Sequence, residues 1–165
     1  VLNRGYDAGF RSGTGVLAGL NLIPLIEDEL VFIAPLEHPL AKKKKINPEN
    51  LTKHEFIGHT RITAPDLCNQ IETWALADRV ILESHLEFDT HEAIISAVEA
   101  GGGVSIVSGI TLSRLARPKY FVVLPLRPAL SRHFYIVCRT KSGALPVVNV
   151  LADIIRSQAQ LIKPS

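Results

Sequence analysis

The stretch FDTHEAIISAVEAGGGVSIVS, Phe88–Ser108, decides the fold. Asp89 stands where a helix N-cap belongs and Glu92 follows three residues on, the D-x-x-E form of a capping box. Ala93, Ile94, Ala97 and Val98 make one apolar helical face, and Gly101 falls where a left-handed C-terminal cap is wanted. Val104–Val107 then reads as a buried strand. Glycines that cradle a phosphate come before their helix. These come after it, so they close the helix and turn the chain into the strand. The ligand-facing end of this helix is its start, Asp89–Thr90–His91. Strand, helix and strand in that order form a crossover, right-handed by default.

The alternation continues in both directions. Tyr6–Phe10 reads as a short strand after a helix end and a turn at Gly5. Leu30–Ala34 is a continuous apolar run of strand length, expected to be covered on both faces and ended by Pro35, His38 and Pro39. Lys42–Lys45 read as a solvated loop, because the aromatic and Arg residues of a nucleic-acid patch are not interleaved with them. Glu55–His59 is a further strand. Leu67, Ile71, Trp74 and Ala75 recur at helical spacing behind Asp66, which makes Trp74 a core or interface residue. Val80–Phe88 is strand-like. Downstream, Gly109–Arg117 reads as a short helix stopped by Pro118, and YFVVLPL (Tyr120–Leu126) and HFYIVCR (His133–Arg139) as two strands. Pro146 starts a last helix, whose stripe is Val147, Val150, Leu151, Ile154, Ile155, Gln158, Leu161 and Ile162. The whole predicts an α/β fold with a largely parallel sheet.

The chain has 165 residues, 47% of them hydrophobic, enough to build a core in one domain or two small lobes. A net charge of +2 is not the strongly basic balance of a nucleic-acid-binding body. Cys68 and Cys138 lie far apart with no metal spacing, and read as reduced thiols of a cytoplasmic protein. No apolar run is long enough to cross a bilayer, and no signal peptide opens the chain. It begins at Val1 and contains no methionine, so part of a longer protein is expected.

Catalytic patterns are thin. G-x-S-x-G, G-x-G-x-x-G and G-x-x-x-x-G-K-[ST] do not occur. The six histidines are scattered, and His91 beside Glu92 reads as a helix-cap region facing solvent. No catalytic residue, cofactor or metal ligand is expected, and no enzyme activity. In open α/β sheets, small molecules sit outside the carboxyl ends of the strands. Three such places stand out: Arg11-Ser12-Gly13-Thr14, His59-Thr60-Arg61 and Asp89-Thr90-His91. Each residue alone is as well explained as a polar loop end or a cap. Together they pair hydroxyls with cations or imidazoles, and helix starts after Thr60 and Asp89 favour an anion. Asp89 is itself negative, so an anionic effector and a neutral or amine-bearing one both stay open.

The ordered set GYDAGF (Gly5–Phe10), DELVFIAPLEHPLA (Asp28–Ala41), NLTKHEFIGH (Asn50–His59), AVEAGGGVSIVS (Ala97–Ser108), YFVVLPL and HFYIVCR resembles the regulatory domain of LysR-type transcriptional regulators over nearly the whole chain. HPLA and AVEAGGGVSIVS are its most specific pieces. The resemblance implies a type 2 periplasmic-binding-protein-like fold of two Rossmann-like lobes, the first lobe incomplete. It places lobe I at residues 1–53 and 128–165 and lobe II at 54–127. It implies a small-molecule effector between the lobes, met by Ser12, His59, Thr60, Arg61, Asp89 and Thr90, and self-association as a homodimer or tetramer. DNA would be bound only through an N-terminal helix-turn-helix that this chain lacks, and no membrane partner is implied. The family's first strand, first helix and second strand would precede Val1, leaving an open edge at Tyr6–Phe10. In the family's dimers the helix after Asp89 is an interface element, with Ile95 and Val98 partly exposed in a monomer. Gly101–Gly103 stand where the family more often has GLG. The alternatives are a solute-binding protein of the same fold, or a small lyase or deaminase. Cytoplasmic cysteine usage speaks against the first, and the want of a nucleophile–base pair against the second.

Overall fold

A computed structural model describes residues 6–13, 18–114, 120–140 and 145–160. The helix end and turn expected before Tyr6, Thr14, the stop at Pro118, and Leu161 and Ile162 lie outside them. The chain divides into two compact units, residues 29–130 and residues 1–28 with 131–165. The elements are β1 (Ala8–Ser12), β2 (Leu20–Pro35), β3 (Phe56–His59), α1 (Pro65–Ala77), β4 (Ser84–Phe88), α2 (His91–Glu99), β5 (Val104–Ser108), α3 (Gly109–Arg114), β6 (Phe121–Arg139) and α4 (Leu145–Gln160).

In the larger unit the strands lie in the order β2-β5-β3-β4. β3 runs parallel to β4, with His59 opposite Phe88, and to β5, with Phe56 opposite Val104. β2 runs antiparallel to β5, Leu30 facing Ser108. The sheet is therefore mixed, not largely parallel. Among these four strands, parallel pairing is found where the chain is returned by α1 or α2, since a crossover restores the direction.

Because strand side chains alternate, the apolar run in β2 feeds two cores. Leu30, Phe32 and Ala34 pack with Val104 and Ile106 against Leu67, Ile71 and Trp74 of α1. Ile33, Ile57 and Val107 pack against Ile94, Ile95 and Val98 of α2. Both faces are covered, as the sequence implied. Ile95 and Val98 are buried within the unit, so α2 does not leave them partly exposed. Trp74 is a core residue, and its indole N–H donates to the carbonyl of Pro128 at 2.8 Å. Leu40, Ile46 and Leu51 join the α1-side core.

α2 ends as expected. Gly101 has φ 84°, and its N–H donates to the carbonyl of Val98 while that of Gly102 donates to Ala97, both at 2.9 Å. These are the paired bonds of a Schellman cap. The start of α2 differs. The N-cap is Thr90, whose hydroxyl accepts the Ala93 N–H at 3.2 Å, and not Asp89.

In the smaller unit, β1 pairs antiparallel with β6 from Ala8↔Cys138 to Ser12↔Phe134, two residues further along than the expected Tyr6–Phe10. The two strands expected after Tyr120 are one continuous strand, β6. Pro125 does not break it, because its carbonyl accepts the N–H of Ile46 at 3.0 Å while Arg127 donates back to Ile46 at 2.7 Å. α4 packs Val148, Ala152 and Ile155 on Ile136 and Cys138. The stripe expected to be buried is the wrong face apart from Ile155, for Val147, Val150, Leu151 and Ile154 are 42–72% exposed. Asp28, 1% exposed, is paired with Arg132 at 2.9 Å, and Arg132 also lies over the Phe134 ring at 4.8 Å. No helix among the described residues is long and apolar enough to cross a membrane.

Candidate functional site

At the carboxyl ends of β3 and β4 the larger unit gathers a polar cluster. β3 and β4 run in parallel, so their next residues, Thr60 and Asp89, emerge side by side, and the Thr60 N–H donates to the carbonyl of Phe88 at 3.1 Å. The Thr60 hydroxyl donates to Asp89 Oδ1. Thr63 Oγ1 lies 2.7 Å from Thr60 Oγ1 and 3.3 Å from Asp89 Oδ1. Thr63 is brought there by the turn leading into α1, in which the Ala64 N–H donates to the carbonyl of Thr60 at 3.0 Å. Beneath them His59, 5% exposed, stands edge-to-face with His91 of α2, ring centroids 4.4 Å apart. His91 is half-buried and does not simply face solvent.

The expected site residues thus separate. His59, Thr60 and Asp89 come together. Thr90 is next to Asp89 and its hydroxyl is engaged in capping α2. Arg61 is drawn away: it pairs with Glu72 and donates to Asn69 at 2.5 Å, both on α1. The Glu72 hydrogen bond, and then its charge, hold the exposed Arg61 guanidinium above its ordinary pKa. Ser12 belongs to the smaller unit, where it faces Phe134 in the β1–β6 ladder. Thr63 was not among the expected residues, whereas His91 belonged to the expected stretch Asp89–Thr90–His91. The T-x-x-T spacing just before Pro65 was the available signal for Thr63, since a residue three on returns to the same side of a tight turn.

On the α1 side of the sheet a cavity of about 50 Å³ is lined by Gly58, His59, Arg61, Cys68, Ser84 and Glu87, among others. That is room for one or two waters. The Cys68 thiol donates to the carbonyl of His59 at 3.2 Å, and burial pushes its pKa up. Among the described residues no group of three or more His, Cys, Asp or Glu side chains is placed to hold a metal ion.

One consequence for Thr90 follows. Thr90→Val keeps the shape but removes the cap acceptor, so it should lower stability by about 1 kcal/mol. For a chain of this size that is a fall in Tm of about 2–4 °C. An unchanged melting temperature would mean that the cap hydroxyl contributes nothing.

The mixed sheet and its flanking helices have the type 2 periplasmic-binding-protein-like fold. The model of the LysR substrate binding domain matches residues 1–160, and the chain belongs to that family. It is 32% identical over 130 residues to the HTH-type transcriptional activator CmpR of Synechocystis sp. PCC 6803, covering 78% of this chain and 42% of that protein. The chain spans less than half the length of the curated relatives it matches. Its fold is similar to the Synechocystis PCC 6803 CcmR regulatory domain in complex with 2-PG, with a TM-score of 0.76 and 24% identity over 94% of this chain and 74% of that one. It is also similar to the effector binding domain of QuiR in complex with shikimate, with a TM-score of 0.73 and 19% identity over 92% of this chain and 72% of that one.

Proposed function

We propose that this chain is the effector-binding and dimerising regulatory domain of a cytoplasmic LysR-type transcriptional regulator. It senses a small molecule and passes the signal to DNA-binding helices elsewhere in the whole protein, which assembles as a homodimer or tetramer. The two compact units are its lobes. The observation that carries this reading is the cluster of Thr60, Thr63 and Asp89 at adjacent strand ends, above the His59–His91 pair. That is where α/β sheets bind small ligands. The names of the relatives and the small molecules bound to the structural neighbours support it. His59, Thr60 and Asp89 meet the effector in this unit. Thr90 supports them by capping α2.

A thermal-shift screen over small carboxylates, aromatic acids, amino acids and sugar phosphates tests the proposal. One class should give a saturable rise in Tm. Thr60→Val should then weaken that compound roughly 2- to 10-fold, the value of one hydrogen bond. A compound bound equally well by the variant would remove Thr60 from the site. No saturable shift with any class would count against effector binding.

A further inference from the structure

The arrangement of hydroxyl hydrogens in the cluster bears on the chemical group that it meets, provided the cluster is the effector site. A threonine hydroxyl carries one hydrogen and two lone pairs, and an ionised carboxylate only accepts. Thr60 gives its hydrogen to Asp89 Oδ1. Thr63 has three acceptors within reach: Thr60 Oγ1 at 2.7 Å, Asp89 Oδ1 at 3.3 Å and the Thr60 carbonyl at 3.4 Å. Both hydroxyl hydrogens are therefore directed inward. What faces outward is hydroxyl lone pairs and the rest of the exposed Asp89 carboxylate.

The charges agree. Arg61, the cation nearest in sequence, is turned to Glu72 and Asn69. The first N–H groups of α2 favour a negative charge. Asp89, immediately before the cap Thr90, already supplies one. His59 and His91 face each other's rings beneath the cluster. A carboxylate or phosphate placed on Thr60 and Asp89 would meet acceptors and a like charge.

We propose that the effector presents a hydrogen-bond donor, a hydroxyl or ammonium group, to Asp89 and Thr60, and that any acidic group it carries lies away from them. Two matched pairs test this by NMR titration of the 165-residue chain. Shikimate is compared with cyclohex-1-ene-1-carboxylate, which keeps the ring and acid without hydroxyls. Ethanolamine is compared with propionate, which puts a carboxylate in place of the ammonium and has no hydroxyl. The amides of residues 60–63 and 89–93 should shift saturably with shikimate and ethanolamine. The partner compounds should bind about tenfold more weakly or worse, because a hydrogen bond to a charged acceptor is lost. Asp89→Asn, which replaces one carboxylate oxygen by an amide donor, should bring both ratios close to one. Cyclohexenecarboxylate or propionate acting on these amides as strongly as its partner overturns the donor requirement and leaves the site in place. An unchanged ratio in Asp89→Asn does the same. If none of the four probes moves these amides, the site reading fails and the inference with it.

Discussion

Arg132→Ala is expected to destabilise the domain by about 3–5 kcal/mol, the typical loss when one partner of a buried ion pair is removed. The carboxylate it faces, Asp28, is 1% exposed, and the Arg132 side chain is only 13% exposed, so the substitution leaves a buried charge without this partner. The pair joins β2 to β6, and Ser131 repeats the link by donating to Glu27 at 2.6 Å. Packing is lost as well, because the guanidinium lies over the Phe134 ring at 4.8 Å. Urea unfolding should show a lower midpoint at an unchanged slope. Arg132→Lys should recover only part of the loss, since a point charge does not keep the directional contact and the ring stacking together. A loss below about 1 kcal/mol would show that Asp28 is held by its other surroundings.

Gly103→Ala should cost roughly 2–5 kcal/mol, from strain and overlap together. Gly103 has φ 141°, a conformation that residues with a Cβ rarely adopt. An added Cβ would lie 2.4 Å from the Glu55 carbonyl oxygen. That oxygen accepts the Val104 N–H at 2.9 Å where β5 begins its parallel run beside β3, so it cannot move without breaking the ladder. Gly101→Ala is the control. Gly101 also has positive φ, but its Cβ would meet open space, so only conformational strain of about 1–2 kcal/mol applies. Melting temperatures should fall in the order wild type, Gly101→Ala, Gly103→Ala. The reverse order for the two variants would show that the approach to Glu55 is not limiting.

Where one reading of a segment satisfied every local rule, the sequence was enough. Leu67, Ile71, Trp74 and Ala75 recur on one face of α1, and these four are its buried residues. The Leu30–Ala34 run left no polar side to turn outward, so it had to be covered twice. Gly101 ended α2 because a left-handed residue was needed there. α4 shows the limit. It is apolar on more than one side, and periodicity cannot rank two apolar faces. Ile136 and Cys138 of β6 made the choice, taking Val148 and Ala152.

The site divides in the same way. Strand ends and the residues on them were legible, because α/β connectivity places them without reference to side-chain partners. The roles of Asp89, Thr90 and Arg61 were not. Asp89 and Thr90 are both good caps, and the choice between them turned on Thr60 and Thr63, which reach Asp89 from another strand and leave Thr90 to α2. Arg61 was claimed by Glu72 and Asn69, which one helical turn sets on the same face of α1. Sequence by itself determined the buried strands, the buried face of α1 and the end of α2, because these follow from periodicity and backbone conformation. Only the tertiary structure decided strand direction, the face of α4 and the partner of each polar group. Those depend on which distant groups compete for the same hydrogen or the same apolar surface.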